Sequence, residues 1–134
     1  MYDKTLILDG LCDIEGALLH VLDRTSNIKT VDDFTRTPQG VDMLDVATVR
    51  LMACGEEVSK IEKRTEGTLL SKYPEIEWKK IIAFRNFIAH AYFRVDAEII
   101  FDAIQNEVRP LLTTIQKIIT DLNNEIQTQK PTTN

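Results

Sequence analysis

Arg85, Asn86, His90 and Tyr92 place four polar side chains within eight residues of an otherwise apolar segment. Arginine supplies a fixed positive charge that binds phosphate, and histidine, with an ordinary pKa of about 6.5, moves protons near neutral pH. Buried polar groups need partners or a function, because leaving them unsatisfied costs free energy. These residue types together suit the chemistry of a phosphodiester.

Internal cleavage of RNA needs a proton removed from the ribose 2′-OH and a proton given to the leaving 5′ oxygen. His90 can do either, and two copies of His90 supply one base and one acid. Arg85 can stabilise the negative charge of the transition state, while Asn86 orients the His90 ring or holds a phosphate oxygen. This chemistry needs neither metal nor cofactor, and the sequence contains no histidine and carboxylate cluster at ligand spacing.

Helical geometry separates the four residues into two lines. At about 100° per residue, with Arg85 at the origin, Asn86, Lys79 and His90 lie at about 100°, 120° and 140°, whereas Tyr92 lies at about 340°. Lys79, Asn86 and His90 therefore form a polar stripe. Arg85 must either reach this stripe with its long side chain or meet His90 of a second copy, which predicts a two-fold dimer interface.

Other interpretations of His90 remain open from the spacing. A lone histidine on an amphipathic helix is more often a structural or surface residue than a catalyst. Histidine phosphotransfer domains also carry a histidine on a bundle helix, but the sequence Ala91-Tyr92-Phe93-Arg94 lacks their Leu-Lys-Gly type of continuation.

Composition indicates one globular domain over residues 1–134, with a net charge of −5 that disfavours non-specific coating of nucleic acid. A local basic stretch runs from Lys72 to Arg94, in which Lys79 and Arg94 are possible RNA contacts. No membrane-spanning run or signal peptide is evident, so a cytoplasmic protein is expected. Cys12 and Cys54 are expected to be reduced thiols that line the core.

The hydrophobic periodicity is helical throughout and predicts an all-α, antiparallel four- to five-helix bundle. The first helix is predicted over about 3–24, a turn over 31–35, and a second helix from Pro38 with Thr37 as its N-cap. After a polar loop over 65–74, the third helix is expected from about Glu75 to Tyr92. Asp96 caps a fourth, which Pro110 kinks or divides, and residues 128–134 are expected to fray.

The helix that contains the motif is expected to turn one arc toward the core. The apolar residues predicted for this interior are Ile81, Ile82, Phe84, Phe87, Ile88 and Ala91.

The motif resembles that of a known family. Arg85-Asn86-x3-His90 resembles the Arg-x4–6-His signature of HEPN domains, and the added Tyr92 gives the Arg-x4-His-x-Tyr of HepT-like toxins. Gly55-Glu56 and the lead-in from Tyr73 to Trp78 fall in the order found in HepT-like proteins, so the resemblance covers most of the chain.

The resemblance implies a metal-independent endoribonuclease that acts as a homodimer, with Arg85 and His90 catalytic and Asn86 supporting. It implies the toxin of a type VII-like toxin–antitoxin system, paired with a MntA-type nucleotidyltransferase antitoxin that transfers AMP to Tyr92. Glu56 is expected to pair with Arg85 or to be solvated. The alternative is a non-catalytic partner or substrate-binding subunit of a nucleotidyltransferase.

Overall fold

The computed structural model describes residues 2–90 and 96–129, which fold into a helical bundle without strands in those ranges. A 3₁₀ helix, Leu70–Lys72, lies between α3 and α4. The α-helices are α1 (Lys4–Arg24), α2 (Asp32–Thr35), α3 (Pro38–Arg64), α4 (Trp78–His90), α5 (Ala97–Asn106) and α6 (Val108–Gln129). The all-α prediction is confirmed.

Side-chain caps set three helix starts, of which the caps at Thr37 and Asp96 were predicted and the cap at Asp3 was not. Asp3 Oδ1 accepts from the backbone N–H of Thr5 at 3.0 Å, and Asp96 Oδ1 from that of Glu98 at 2.9 Å. Thr37 Oγ1 accepts from the N–H of Gly40 at 2.9 Å, with proline as the first residue of α3. Each capping side chain accepts a hydrogen bond from a backbone N–H in the first turn, which has no acceptor within its own helix.

Pro110 divides the C-terminal helical segment, which was one of the two predicted outcomes. α5 ends at Asn106 and α6 starts at Val108, so proline is the third residue of the new helix. Its missing N–H costs little there, because the first N–H groups of a helix lack intrahelical acceptors. α6 extends to Gln129, residues 130–134 lie outside the described part, and the fraying expected for residues 128–134 stays a prediction.

α3 is the central element of the bundle, and it packs against α1, α2, α4 and α5 while α6 covers α1. Cys54 of α3 is buried as predicted, and burial raises the pKa of its thiol to about 12. Cys12 is exposed, so its prediction as a core-lining residue was wrong. Both thiols are free.

The segment between α3 and α4 is better anchored than the predicted loop. Leu69 and Leu70 are buried, and the Tyr73 hydroxyl donates to Asp121 Oδ2 of α6 at 2.6 Å. The Trp78 indole N–H donates to the Tyr73 carbonyl at 3.0 Å. α4 therefore starts at Trp78, three residues later than predicted, and these hydrogen bonds hold its first residue in place.

None of the described helices is both long and apolar enough to cross a bilayer.

Candidate active site on α4

Gly55 brings α4 against α3 at the level of Arg85. A Cβ atom at this glycine would collide with Arg85 Cβ, and it would lie 3.0 Å from Arg85 Cγ and 3.2 Å from the Ile81 carbonyl oxygen. Distances this short leave no room for a methyl group. The glycine thus fixes how closely the arginine approaches the neighbouring helix.

Two partners hold the Arg85 guanidinium. Nη2 forms an ion pair with Glu56 Oε2 of α3, and Nη1 donates to Asn86 Oδ1 at 3.0 Å. The Arg85 side chain is 34% exposed and that of Glu56 is 45% exposed, so the pair lies at the surface. Because a guanidinium has five N–H donors, these two contacts leave others for a phosphate oxygen.

The ion pair also has a purely structural interpretation, in which it joins α3 to α4. Exposed ion pairs contribute little stability, typically about 0–1 kcal/mol. The pair therefore stabilises the contact between the two helices only weakly. Its larger effect is to orient the Arg85 guanidinium.

Two of the three residues of the predicted polar stripe have side chains that the structure describes. Lys79 and Asn86 are exposed, and Arg85 reaches Asn86 across one helical step. The hydrogen bond and the ion pair of the guanidinium join Arg85 to Asn86 and Glu56, and Lys79 is not one of these partners. The side chain of His90, together with Tyr92 and Arg94, lies outside the described residues.

The predicted core face of α4 was partly wrong. Ile88 is buried at 2% exposure, but Phe87 is 54% exposed. The reason is that α4 packs mainly on α3, so its buried arc is centred on the line through Ile81, Arg85 and Ile88. Ile81, Ile82 and Phe84 are half-buried, and Ala91 lies outside the described residues.

Two components of this site, Glu56 and Gly55, had only weak signals in the sequence. Glu56 was one of several acidic residues on α3, and only its spatial neighbour Arg85 distinguishes it. Gly55 has no unusual backbone conformation, since it lies within a regular helix, and its role depends on the close approach of α4. Within the described ranges, no three histidine, cysteine or acidic side chains are grouped as metal ligands would be.

The helical bundle, with the arginine of an Arg-x4-His segment partly exposed on α4, is of the HEPN type. The chain belongs to the Ribonuclease HepT-like family, whose profile matches residues 14–118.

Curated relatives agree with this assignment. The chain is 30% identical to "Putative RNase MJ0127" of Methanocaldococcus jannaschii over 115 residues, which cover 84% of this chain and 93% of the relative. It is 24% identical to "Putative RNase MJ0125" of the same organism, covering 82% of this chain and 94% of the relative. It is also 24% identical to "Probable ribonuclease HepT" of Thermococcus cleftensis, covering 68% and 84%. No solved structure matches the chain significantly.

Proposed function

We propose that the protein is a metal-independent endoribonuclease, the toxin of a type VII-like toxin–antitoxin pair. The observation that carries the proposal is the Arg85 guanidinium, held by Glu56 and Asn86 at the surface of α4 with donors left for a phosphate. Membership of the Ribonuclease HepT-like family supports an RNA substrate.

In the proposed reaction, His90 removes the proton of a ribose 2′-OH, and the 2′ oxygen attacks the adjacent phosphorus. The bond from phosphorus to the 5′ oxygen breaks, and a protonated His90 from the second copy gives that oxygen its proton. Arg85 stabilises the charge that develops on the phosphoryl oxygens. The products are a 2′,3′-cyclic phosphate and a 5′-hydroxyl end.

Purified protein should cleave RNA in the presence of EDTA, and Arg85→Ala and His90→Ala should each abolish cleavage. Lys4→Ala is a suitable control, since Lys4 lies on α1 and pairs with Glu125. Cleavage by His90→Ala at the wild-type rate would contradict the proposal. Absence of cleavage by the unmodified wild type would favour the non-catalytic subunit.

The proposed control point is Tyr92, to which a MntA-type nucleotidyltransferase transfers AMP. The added phosphate carries negative charge, and near Arg85 it would block RNA by repulsion and bulk. Intact mass after co-expression with the transferase should increase by one or more AMP units, and Tyr92→Phe should remove the increase. An unchanged mass gain in Tyr92→Phe would assign the modification to another residue.

A further inference from the structure

A groove of about 590 Å³ separates α4 from the α5–α6 junction. Leu51 of α3 lies on its floor, Phe84 and Phe87 of α4 form one wall, and Ile99 and Leu111 line the other. Its volume falls within the range of about 300–1,000 Å³ that is typical of ligand-binding clefts. Phe87, at 54% exposure, is the largest of the exposed apolar side chains in the described part of the chain.

The polar residues that line this groove are mainly acidic. They are Glu75, Glu77, Asp102 and Glu107, with Lys80 as the one basic residue among the lining side chains. Lys80 pairs with Glu77 at 3.2 Å. The groove is thus an apolar surface with a negative rim.

Salt bridges cancel only part of this charge. Glu75 pairs with Lys117 at 3.7 Å, whereas Asp102 accepts a neutral hydrogen bond from Asn106 Nδ2 at 2.7 Å. Neither Asp102 nor Glu107 has a cationic partner among the described residues. A ligand that fills the groove therefore meets, at α5 and the α5–α6 junction, two carboxylates that no cation of the described residues pairs with.

The charge distinguishes between possible occupants. RNA is disfavoured, because its phosphates would face the carboxylates. A second copy bound groove to groove is disfavoured as well, because a two-fold contact places each acidic rim against the other. An occupant with positive charge beside an apolar face matches both features of the groove.

We propose that this groove binds an amphipathic helix of a partner protein, with lysine or arginine residues flanking its apolar face. Helical walls and an apolar floor are typical of surfaces that receive such helices. Arg85 is not among the lining residues, so an occupied groove leaves the guanidinium available. The interaction is separate from the proposed ribonuclease activity, and its test does not depend on that activity.

The test uses the full chain and two fluorescein-labelled helical peptides in an anisotropy titration. One peptide carries leucine at helical spacing with lysine elsewhere, and the other carries glutamate in place of lysine. The lysine peptide is expected to bind at least about tenfold more tightly, and its affinity should fall as salt rises. Equal binding by both peptides would overturn the proposal.

Variants locate the binding surface. Phe87→Ser removes the exposed aromatic ring, Asp102→Lys reverses one rim charge, and Leu19→Ser is the matched control, since Leu19 is 46% exposed on α1 and outside the groove. The first two should weaken lysine-peptide binding at least about tenfold, and the control should not. Circular dichroism checks that each variant is folded.

Two results would overturn the assignment. One is unchanged peptide affinity in folded Asp102→Lys. The other is a Phe87→Ser protein that changes its sedimentation but binds the lysine peptide normally, which would assign the groove to a second copy of the chain.

Discussion

Arg85 shows how a surface arginine can be prepared for an anion. Its long side chain has many rotamers in solution, and ordering such a chain on binding costs about 0.5–1.5 kcal/mol. The contacts with Glu56 and Asn86 restrict those rotamers before any ligand arrives. The Glu56 carboxylate also offsets part of the positive charge, so its benefit must come from orientation rather than from attraction.

Replacing Glu56 by glutamine tests this view of the carboxylate. Glu56→Gln keeps the shape but removes the charge that holds Nη2, so we expect RNA cleavage to slow by about tenfold, equivalent to about 1.4 kcal/mol of transition-state stabilisation. The melting temperature should change little, because the ion pair is exposed. Both are measured on the same preparations.

The control for that change is Glu57→Gln, at the next position of α3. Glu57 lies beside Gly10 of α1 rather than beside the arginine. Its neutralisation should leave cleavage unaltered. If Glu56→Gln lowered the melting temperature but not the cleavage rate, the pair would be a structural link alone.

At the scale of elements, the close contact between α3 and α4 requires a glycine at position 55, because this residue has no Cβ atom. Gly55→Ala places a methyl group against Arg85 Cβ and close to the Ile81 carbonyl, where backbone cannot yield easily. We expect a loss of about 1–3 kcal/mol in the free energy of unfolding, together with lower cleavage because the arginine is displaced. Urea denaturation measures the first effect and an RNA cleavage assay the second.

Gly16→Ala provides the matched control in the middle of α1. A Cβ atom there meets nothing within 4 Å, and the backbone is helical. This substitution should stabilise the protein by about 0.5–1 kcal/mol, because alanine is the better helix former. Equal destabilisation by both substitutions would argue against a specific role for Gly55 in the helix contact.

The hydrogen bond from Tyr73 to Asp121, which ties the start of α4 to α6, predicts that the stability of the protein depends on pH in the alkaline range. Burial and the hydrogen bond to Asp121 raise the pKa of Tyr73 above its ordinary value of 10.0. The folded state therefore binds the phenolic proton more tightly than the unfolded chain does. Its contribution to stability is complete below pH 10 and declines as the pH rises further.

Tyr73→Phe should remove that decline along with the hydrogen bond. We expect a loss of about 1–2 kcal/mol near neutral pH and a flatter stability profile above pH 10. Urea unfolding at several pH values measures both. A variant with the wild-type slope above pH 10 would mean that another group causes the decline.

For the whole molecule, local signals in the sequence predicted most of the fold. Caps at Thr37 and Asp96 marked two helix starts, apolar periodicity placed the first helix from about residue 3, and Pro110 marked the division between α5 and α6. The exposed position of Phe87 could not be predicted, because periodicity identifies an apolar face without saying which neighbours cover it. The pairing of Glu56 with Arg85 was one of two open alternatives, since it depends on how closely α3 and α4 approach.

The angular separation of Arg85 and His90 on α4 bears on how two whole copies of the protein must assemble. A regular helix places them about 140° apart, so side chains from two copies are the direct way to put both on one phosphate. The dimer is then part of the proposed chemistry, because one phosphodiester meets a histidine from each copy and the arginine of at least one of them.

Mixing wild type with an inactive variant tests that arrangement. Wild-type and His90→Ala proteins, unfolded together and refolded at equal concentrations, should form mixed dimers as about half of the population, each with a single His90. Because the proposed reaction uses one His90 as base and the other as acid, only the wild-type dimers, about a quarter of the population, should cleave RNA. Sedimentation shows whether dimers form. Cleavage at about half of the rate of pure wild type would mean that one His90 is enough for each site.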